Sequence, residues 1–250
     1  MNKQFRGLRI ITNLHCNYKC KFCYQKNKQD IILSVFSLVQ NLVEYKKKYF
    51  EYCTIMGGES TLLDNLTHYI GIGNNFSKET RLTTNGSLLS AQSLEEYKRS
   101  GLTGLNISIA TLKHYKETTD GVAPKLILKT VEMAKEVFPN LRINIALCKE
   151  NMSGEIKELL DLFIDKMNLN VTICEDILKT YSCVDDFKGK LNSEFIENTG
   201  HGLIFLSYKG KRFGYYTHDD NYKDEDLIIS PYGVDVSWTG FCEKVGMNVR

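Results

Sequence analysis

Short runs of apolar and β-branched residues alternate along this chain with longer stretches in which apolar positions return every three or four residues. GLRIITNL (7–14) predicts a strand, followed by a polar loop. Over 30–48, Ile31, Val35, Leu38, Leu42 and Tyr45 fall at helical spacing. YCTIM (52–56) predicts the second strand, closed by Gly57-Gly58, with a helix through 62–72. TRLTT (80–84) predicts the third, stopped by Asn85-Gly86, and the helix over 91–99 ends at Gly101. LTGLNISIA (102–110) predicts the fourth, after which Pro124 opens a helix that runs to Phe138. LRINIALC (141–148) predicts the fifth strand, EIKELLDLFIDKM (155–167) a helix and NVTICEDI (170–177) the sixth strand. Six strand-then-helix units, the last without its helix, imply a parallel sheet with right-handed crossovers. The pattern alone leaves two architectures open, a doubly wound sheet and a partial barrel.

The pattern changes at about residue 178. KTYSCVDDFKGKLNSEFIENTG has no clear period and reads as a connector. GLIFLSYKGKRFGYYTHD predicts a hairpin turning at Lys209-Gly210, and DLIISPYGVDVSW a second turning at Tyr232-Gly233. The expected organisation is therefore a core over 1–178, then a connector and β-hairpin cap over the substrate pocket in 179–250. The acidic run DDNYKDED (219–226) reads as a solvated loop.

Composition narrows the class. Lys plus Arg number 32 against 30 for Asp plus Glu, a balance that argues against a nucleic-acid or membrane-surface binder. No run of 18 apolar residues offers a membrane span, and the charged N-terminus lacks the apolar stretch of a signal peptide. Eight cysteines without an export signal point to the cytoplasm, where clustered thiols bind metal or do redox work.

The unusual motifs share a position, each lying at the C-terminal end of a predicted strand. In parallel α/β folds that rim is where ligands bind. After the first strand comes LHCNYKCKFCYQ (14–25), which sets Cys16, Cys20 and Cys23 in a C-x3-C-x2-C spacing. Thiolates suit zinc and iron–sulfur groups. Structural zinc wants four closed ligands, and His15 adjoins Cys16, so its side chain points the other way on an extended loop. A [4Fe–4S] cube with three cysteines keeps one iron open, which is what direct binding of a small molecule requires.

C-x3-C-x2-C with an aromatic residue before the last cysteine resembles the signature of radical S-adenosylmethionine (SAM) enzymes. The resemblance extends through GGE (57–59), TTNG (83–86) and ISI (107–109), so it spans most of residues 7–177. It implies an α/β fold, a partial (β/α)6 TIM-like barrel carrying the C-terminal β-hairpin cap. It also implies a [4Fe–4S] cluster on Cys16, Cys20 and Cys23, with the open iron chelated by the methionine end of SAM. On that reading the carbonyls of Gly57 and Gly58 accept from the SAM ammonium and Glu59 adds charge to the contact. Thr84, Asn85 and Ser108 suit the ribose hydroxyls and the carboxylate, and Phe22 and Tyr24 lie beside the adenine. The implied chemistry is reductive cleavage of SAM, fed by a donor such as flavodoxin or ferredoxin. The 5′-deoxyadenosyl radical so formed takes hydrogen from a small biosynthetic metabolite or a short peptide.

The chain departs from the family pattern on strand five. Where G-x-I-x-G-x-x-E is common, it has Ile143, Ile145, Leu147 and Glu150. The apolar residues, Leu147 with them, stay candidates to pack on the adenine, while both glycines are missing and Glu150 is left without an assigned role. Cys148 and Cys174 fall at the rim, as weak candidates for substrate contact or hydrogen-atom donation beside the plainer reading of buried thiols. Cys53 reads as core. The tail resembles the opening of a SPASM or twitch extension, and an auxiliary cluster would require Cys174, Cys183 and Cys242 to meet. His201 and His218 read as surface residues, while Tyr215, Tyr216 and Tyr222 with Asp219 and Asp220 could wall the substrate. Two further readings stay open: a peptide-modifying maturase, and a non-enzymatic iron–sulfur scaffold.

Overall fold

The computed structural model describes residues 5–23, 25, 29–175, 194–199, 202–217 and 226–245. Tyr24, Cys183, His201, His218, Asp219, Asp220 and Tyr222 lie outside the described residues. Six strands form the expected parallel ladder in chain order: β1 (Gly7–Ile11), β2 (Tyr52–Met56), β3 (Thr80–Thr84), β4 (Gly104–Ser108), β5 (Arg142–Ala146) and β6 (Asn170–Cys174). Between them run α1 (Val35–Val43), α2 (Leu66–Phe76), α3 (Ala91–Arg99), the short α4 (Tyr115–Thr119) and α5 (Pro124–Val137). The helical stretch before β6 is centred on α6 (Ile156–Leu160). Local chemistry sets several helix starts. Ser34 accepts from the Ser37 amide, Ser90 and Ser93 cap each other reciprocally, and Pro124 opens α5.

The tail joins the same sheet at both edges. β7 (Glu194–Asn198), β8 (Leu203–Tyr208) and β9 (Lys211–Tyr216) form an antiparallel set whose last strand lies parallel to β6. β10 (Asp226–Ser230) crosses to the far edge and pairs in parallel with β1, followed by β11 (Gly233–Asp235) and the helix α7 (Trp238–Lys244). The strand order is β11-β10-β1-β2-β3-β4-β5-β6-β9-β8-β7. Both predicted hairpins are present, as β8–β9 and β10–β11, but they extend the barrel's own sheet. DLIIS is buried at every position, as a strand with neighbours on both sides and cover on both faces must be.

Register divides the ladder into two faces. Leu8, Ile10, Cys53, Ile55, Leu82, Leu105, Ile107, Ile143, Ile145, Val171 and Ile173 share one face and are buried in the main apolar core. The other carries Arg9, Thr54, Arg81, Asn106, Ser108, Arg142, Thr172, Cys174 and Tyr216. β1 and β9 stand six places apart in the strand order, which in a flat sheet is about 29 Å. Yet Arg9 Nη2 lies 3.5 Å from the Tyr216 hydroxyl. The sheet is therefore curled into an open barrel, with the polar face inside and the helices outside.

On β1 the barrel edge is pinned by charge. Arg9 Nε donates to Asp226, whose other oxygen accepts from the Tyr52 hydroxyl at 2.6 Å. Arg9 also stacks on Trp238, 5.4 Å from the ring centre. The Asp226 side chain is 5 % exposed, so removing it strands a largely buried guanidinium. Asp226→Ala is expected to lower unfolding free energy by about 3 kcal/mol, read from urea midpoints at unchanged m-value.

Candidate active site

The cysteine loop leaves β1 and is gripped by the loops that follow β2, β3 and β4. Asn13 O accepts from the Gly58 amide and His15 O from the Glu59 amide, both at 2.8 Å. The Asn13 side-chain amide bridges His15 O and Glu59 O, at 3.1 Å each. A Cβ at Gly58 would collide with the His15 carbonyl, and one at Gly57 would crowd Asn13. These glycines are thus required by the chain that leads into Cys16, a reason independent of ligand approach.

Glu59 is 1 % exposed. One carboxylate oxygen accepts from the Thr61 amide (3.1 Å), the Thr61 hydroxyl (2.6 Å) and the Thr84 hydroxyl (2.6 Å), and the other from the Asn85 amide (2.7 Å). Its oxygens are turned onto the β3 loop, so Glu59 braces that loop, and the hydroxyl of Thr84 is spent on the same contact. Asn85 carries the link onward, its side-chain amide donating to Asn17 at 2.9 Å, while Asn17 donates to Ser87 at 2.9 Å. On the β4 side, the Lys19 and Lys21 amides donate to Thr119 O (2.8 Å) and Thr118 O (2.9 Å). The buried Tyr18 accepts from the Val122 amide at 3.2 Å and meets Tyr115 edge to face.

Cys16, Cys20 and Cys23 lie half-buried on this loop. The Tyr18 amide points at Cys16 Sγ, at 3.4 Å. Among the described residues no three His, Cys, Asp or Glu side chains gather as a single ion would need. Thiolates on separate corners of a cube stand further apart than the ligands of one ion. Three soft thiols with an amide aimed at one sulfur are a donor set that fits an iron–sulfur group. Gln25, 4 % exposed and two residues past Cys23, has neither side-chain amide atom hydrogen-bonded. Such an orphaned polar group beside the motif is what a bound polar ligand would satisfy.

Phe22 is half-buried on the loop, and Ser108 lies on the concave face at the end of β4. Leu147 is buried, and its amide donates to Cys174 O at 2.9 Å, tying the ends of β5 and β6. Ile143 and Ile145 turn outward to the helices, so they are core residues and not adenine contacts. Cys174 is on the concave face opposite Tyr216. Burial pushes its thiol up to about 11, against the pull of Arg142 and Arg9. Cys148 is 3 % exposed and likewise raised by burial to about 11. Both are therefore S–H at neutral pH. Cys242 is wholly buried against Ile11, Leu14, Ile228 and Phe241. Cys53 is core, as expected.

Arg9, Arg81 and Arg142 on the concave face were missed by motif reading. The signal was available, since GLRII, TRLTT and LRINI each place an arginine out of phase with the apolar residues. An open recess of about 420 Å³ lined by Pro139, Asn170, Lys211 and Arg212 lies at the opposite end of β6 and β9 and contains none of the candidate residues.

The fold and this loop place the chain in a known class. A family model described as "Radical SAM superfamily" matches residues 10–163, and the chain belongs to that superfamily. Its cofactors are a [4Fe–4S] cluster and SAM. A probable GTP 3′,8-cyclase from Methanococcus aeolicus is 29% identical over 184 residues, covering 70% of this chain and 60% of that protein. An S-adenosylmethionine-dependent nucleotide dehydratase from Flammeovirga pacifica is 29% identical, covering 64% and 62%. Among solved structures, Streptococcus suis SuiB bound to its precursor peptide SuiA superposes with TM-score 0.70 at 16% identity, over 96% of this chain and 61% of that one. The chain thus spans about 60% of the length of these relatives.

Gly58→Ala is expected to displace the segment leading into Cys16. Amide hydrogen exchange over residues 13–23 should accelerate while β4 and β5 keep their protection, as read by mass spectrometry.

Proposed function

We propose that this protein is a radical SAM enzyme that abstracts a hydrogen atom from a small organic substrate held in the barrel lumen. The observation that carries the reading is the three-cysteine loop seated by the β2, β3 and β4 loops over a polar barrel interior. In this reading Cys16, Cys20 and Cys23 hold three irons of the cluster. When bound, the reduced cluster and SAM supply a 5′-deoxyadenosyl radical. Gly57 and Gly58 offer backbone carbonyls to the SAM ammonium, with Glu59 holding the β3 loop in place behind them. Asn85 and Ser108 face the cofactor's polar groups, and Phe22, Tyr24 and Leu147 shape the adenine side.

The tail closes the lumen. Phe241 of α7 packs with Ile11 and Ile228, which share the concave face, and Trp238 covers Arg9. Excluding water there protects a radical from quenching. The protonated thiols of Cys148 and Cys174 are the candidate hydrogen-atom donors.

A small metabolite is favoured as substrate by the names of the sequence relatives, a GTP cyclase and a nucleotide dehydratase. The short-peptide alternative is carried by the peptide-bound SuiB, a likeness in fold. The electron donor is a small redox protein such as flavodoxin or ferredoxin, and the setting is cytoplasmic. No helix among the described residues is long and apolar enough to cross a membrane.

Anaerobic reconstitution with iron and sulfide tests the reading. The parent is expected to take up about four irons per chain and, once reduced, to convert SAM to 5′-deoxyadenosine. Cys16→Ala, Cys20→Ala and Cys23→Ala should each abolish both. Deuterium carried from a labelled substrate into 5′-deoxyadenosine would identify the attacked position. Iron and SAM bound without cleavage would mark a scaffold, and a zinc-loaded chain that ignores SAM would refute the proposal.

A further inference from the structure

Among the described residues, Arg9, Arg81, Arg142 and Arg212 share the concave face of the sheet, and all but Arg142 are answered, Arg212 by Glu197. Arg9 donates to Asp226 and reaches Tyr216. Arg81 is paired with Glu79 and also contacts Asn140 O at 3.4 Å and Asn106 at 3.5 Å. Arg142 makes neither an ion pair nor a hydrogen bond with any described residue, although it is more than half buried among them. The charges it feels are Arg81, of its own sign, and Glu79, whose carboxylate Arg81 already occupies.

A guanidinium withdrawn from water with no partner is costly, and five fixed donors stay unused. Burial, and then Arg81, push its pKa down, the mark of an unfavourable charged form. A structural arginine would be expected to have found a carboxylate or a carbonyl. An arginine kept for a ligand has its partner arrive with that ligand.

Position favours the second case. Arg142 opens β5 and Ala146 closes it, a rise of about 13 Å from floor to rim. Cys174, at the end of β6 on the same face, lies within the electrostatic reach of both Arg142 and Arg9. A molecule gripped at Arg142 would extend upward past Cys174 toward the rim that carries the cysteine loop.

We propose that Arg142 is the anion anchor of the substrate site, taking a phosphate or carboxylate group through its planar guanidinium fork. This rests on the reading of the lumen as the substrate chamber and adds the chemical class: a small molecule with an oxyanion at the end remote from the attacked carbon. Phosphate and carboxylate both match the two-pronged geometry.

Calorimetric titration of the reconstituted protein, with sodium tripolyphosphate in one series and sodium acetate in another, tests the anchor. At least one probe is expected to bind with one-to-one stoichiometry, and which one tells a phosphorylated substrate from a carboxylic acid. Arg142→Met should weaken that binding roughly thirtyfold or more. Arg142→Lys, which keeps the charge but loses the fork, should fall in between. Arg142→Met should also melt no lower than the parent, because it removes an unpaired buried charge. Failure of both probes to bind, equal binding by parent and Arg142→Met, or a large drop in melting temperature for Arg142→Met would each overturn the proposal. The parent's own SAM cleavage keeps the two readings apart. Cleavage without Arg142-dependent anion binding sinks the anchor alone, whereas anion binding without cleavage sinks the assigned chemistry.

Discussion

Four donors converge on the buried carboxylate of Glu59, and the arrangement of the candidate site follows from that convergence. The backbone of Glu59 is fixed by the chain leading into Cys16, and its side chain is fixed by the β3 loop. One residue thereby sets the distance between three loops that arrive from different strands. A cation beside it is unnecessary, because hydroxyl and amide donors supply the compensation that water gave before folding. The adjacent glycines serve the same end by letting two backbones lie closer than any side chain would allow.

This changes the meaning of the motif residues. Read as a string, GGE and TTNG invite a list of direct ligand contacts. In the fold, Glu59 and Thr84 spend their polar atoms on each other, and the Asn85 side chain spends its own on Asn17 and the Ser87 amide. Shape at the rim is therefore maintained by residues one layer behind it. Such an arrangement keeps the rim in place when the ligand is absent, so less ordering is left to be done on binding.

Much of the ladder was legible in the sequence. The strands YCTIM and TRLTT and the helix over 91–99 match the structure residue for residue, because Gly-Gly, Asn-Gly and Gly101 stop them sharply. The first strand and first helix came out shorter than expected. Thr12 and Asn13 leave the ladder to serve the site, and Ser34 caps the helix three residues after its apolar period begins at Ile31. The long-range partners of the tail strands were not legible, since no local pattern records that DLIIS will lie beside GLRII. The helix at Trp238–Lys244 is too short to show a period and carries Gly240. The polar lumen is legible in the strand alternation, where Arg9, Arg81 and Arg142 each fall out of phase with the apolar residues of their strand.

The pairing of β10 with β1 has a consequence for how the molecule is made. Arg9 and Asp226 are separated by 217 positions, yet they hold the same barrel edge. While the chain emerges from a ribosome, β1 has an inner neighbour early and lacks its outer one until nearly everything described here has been synthesised. During that interval its outward row of amides and carbonyls is an adhesive margin, open to the wrong strand. Completion of the barrel is thus a late event in the life of the nascent polypeptide, set by the slowest kind of contact, one between distant parts of the chain.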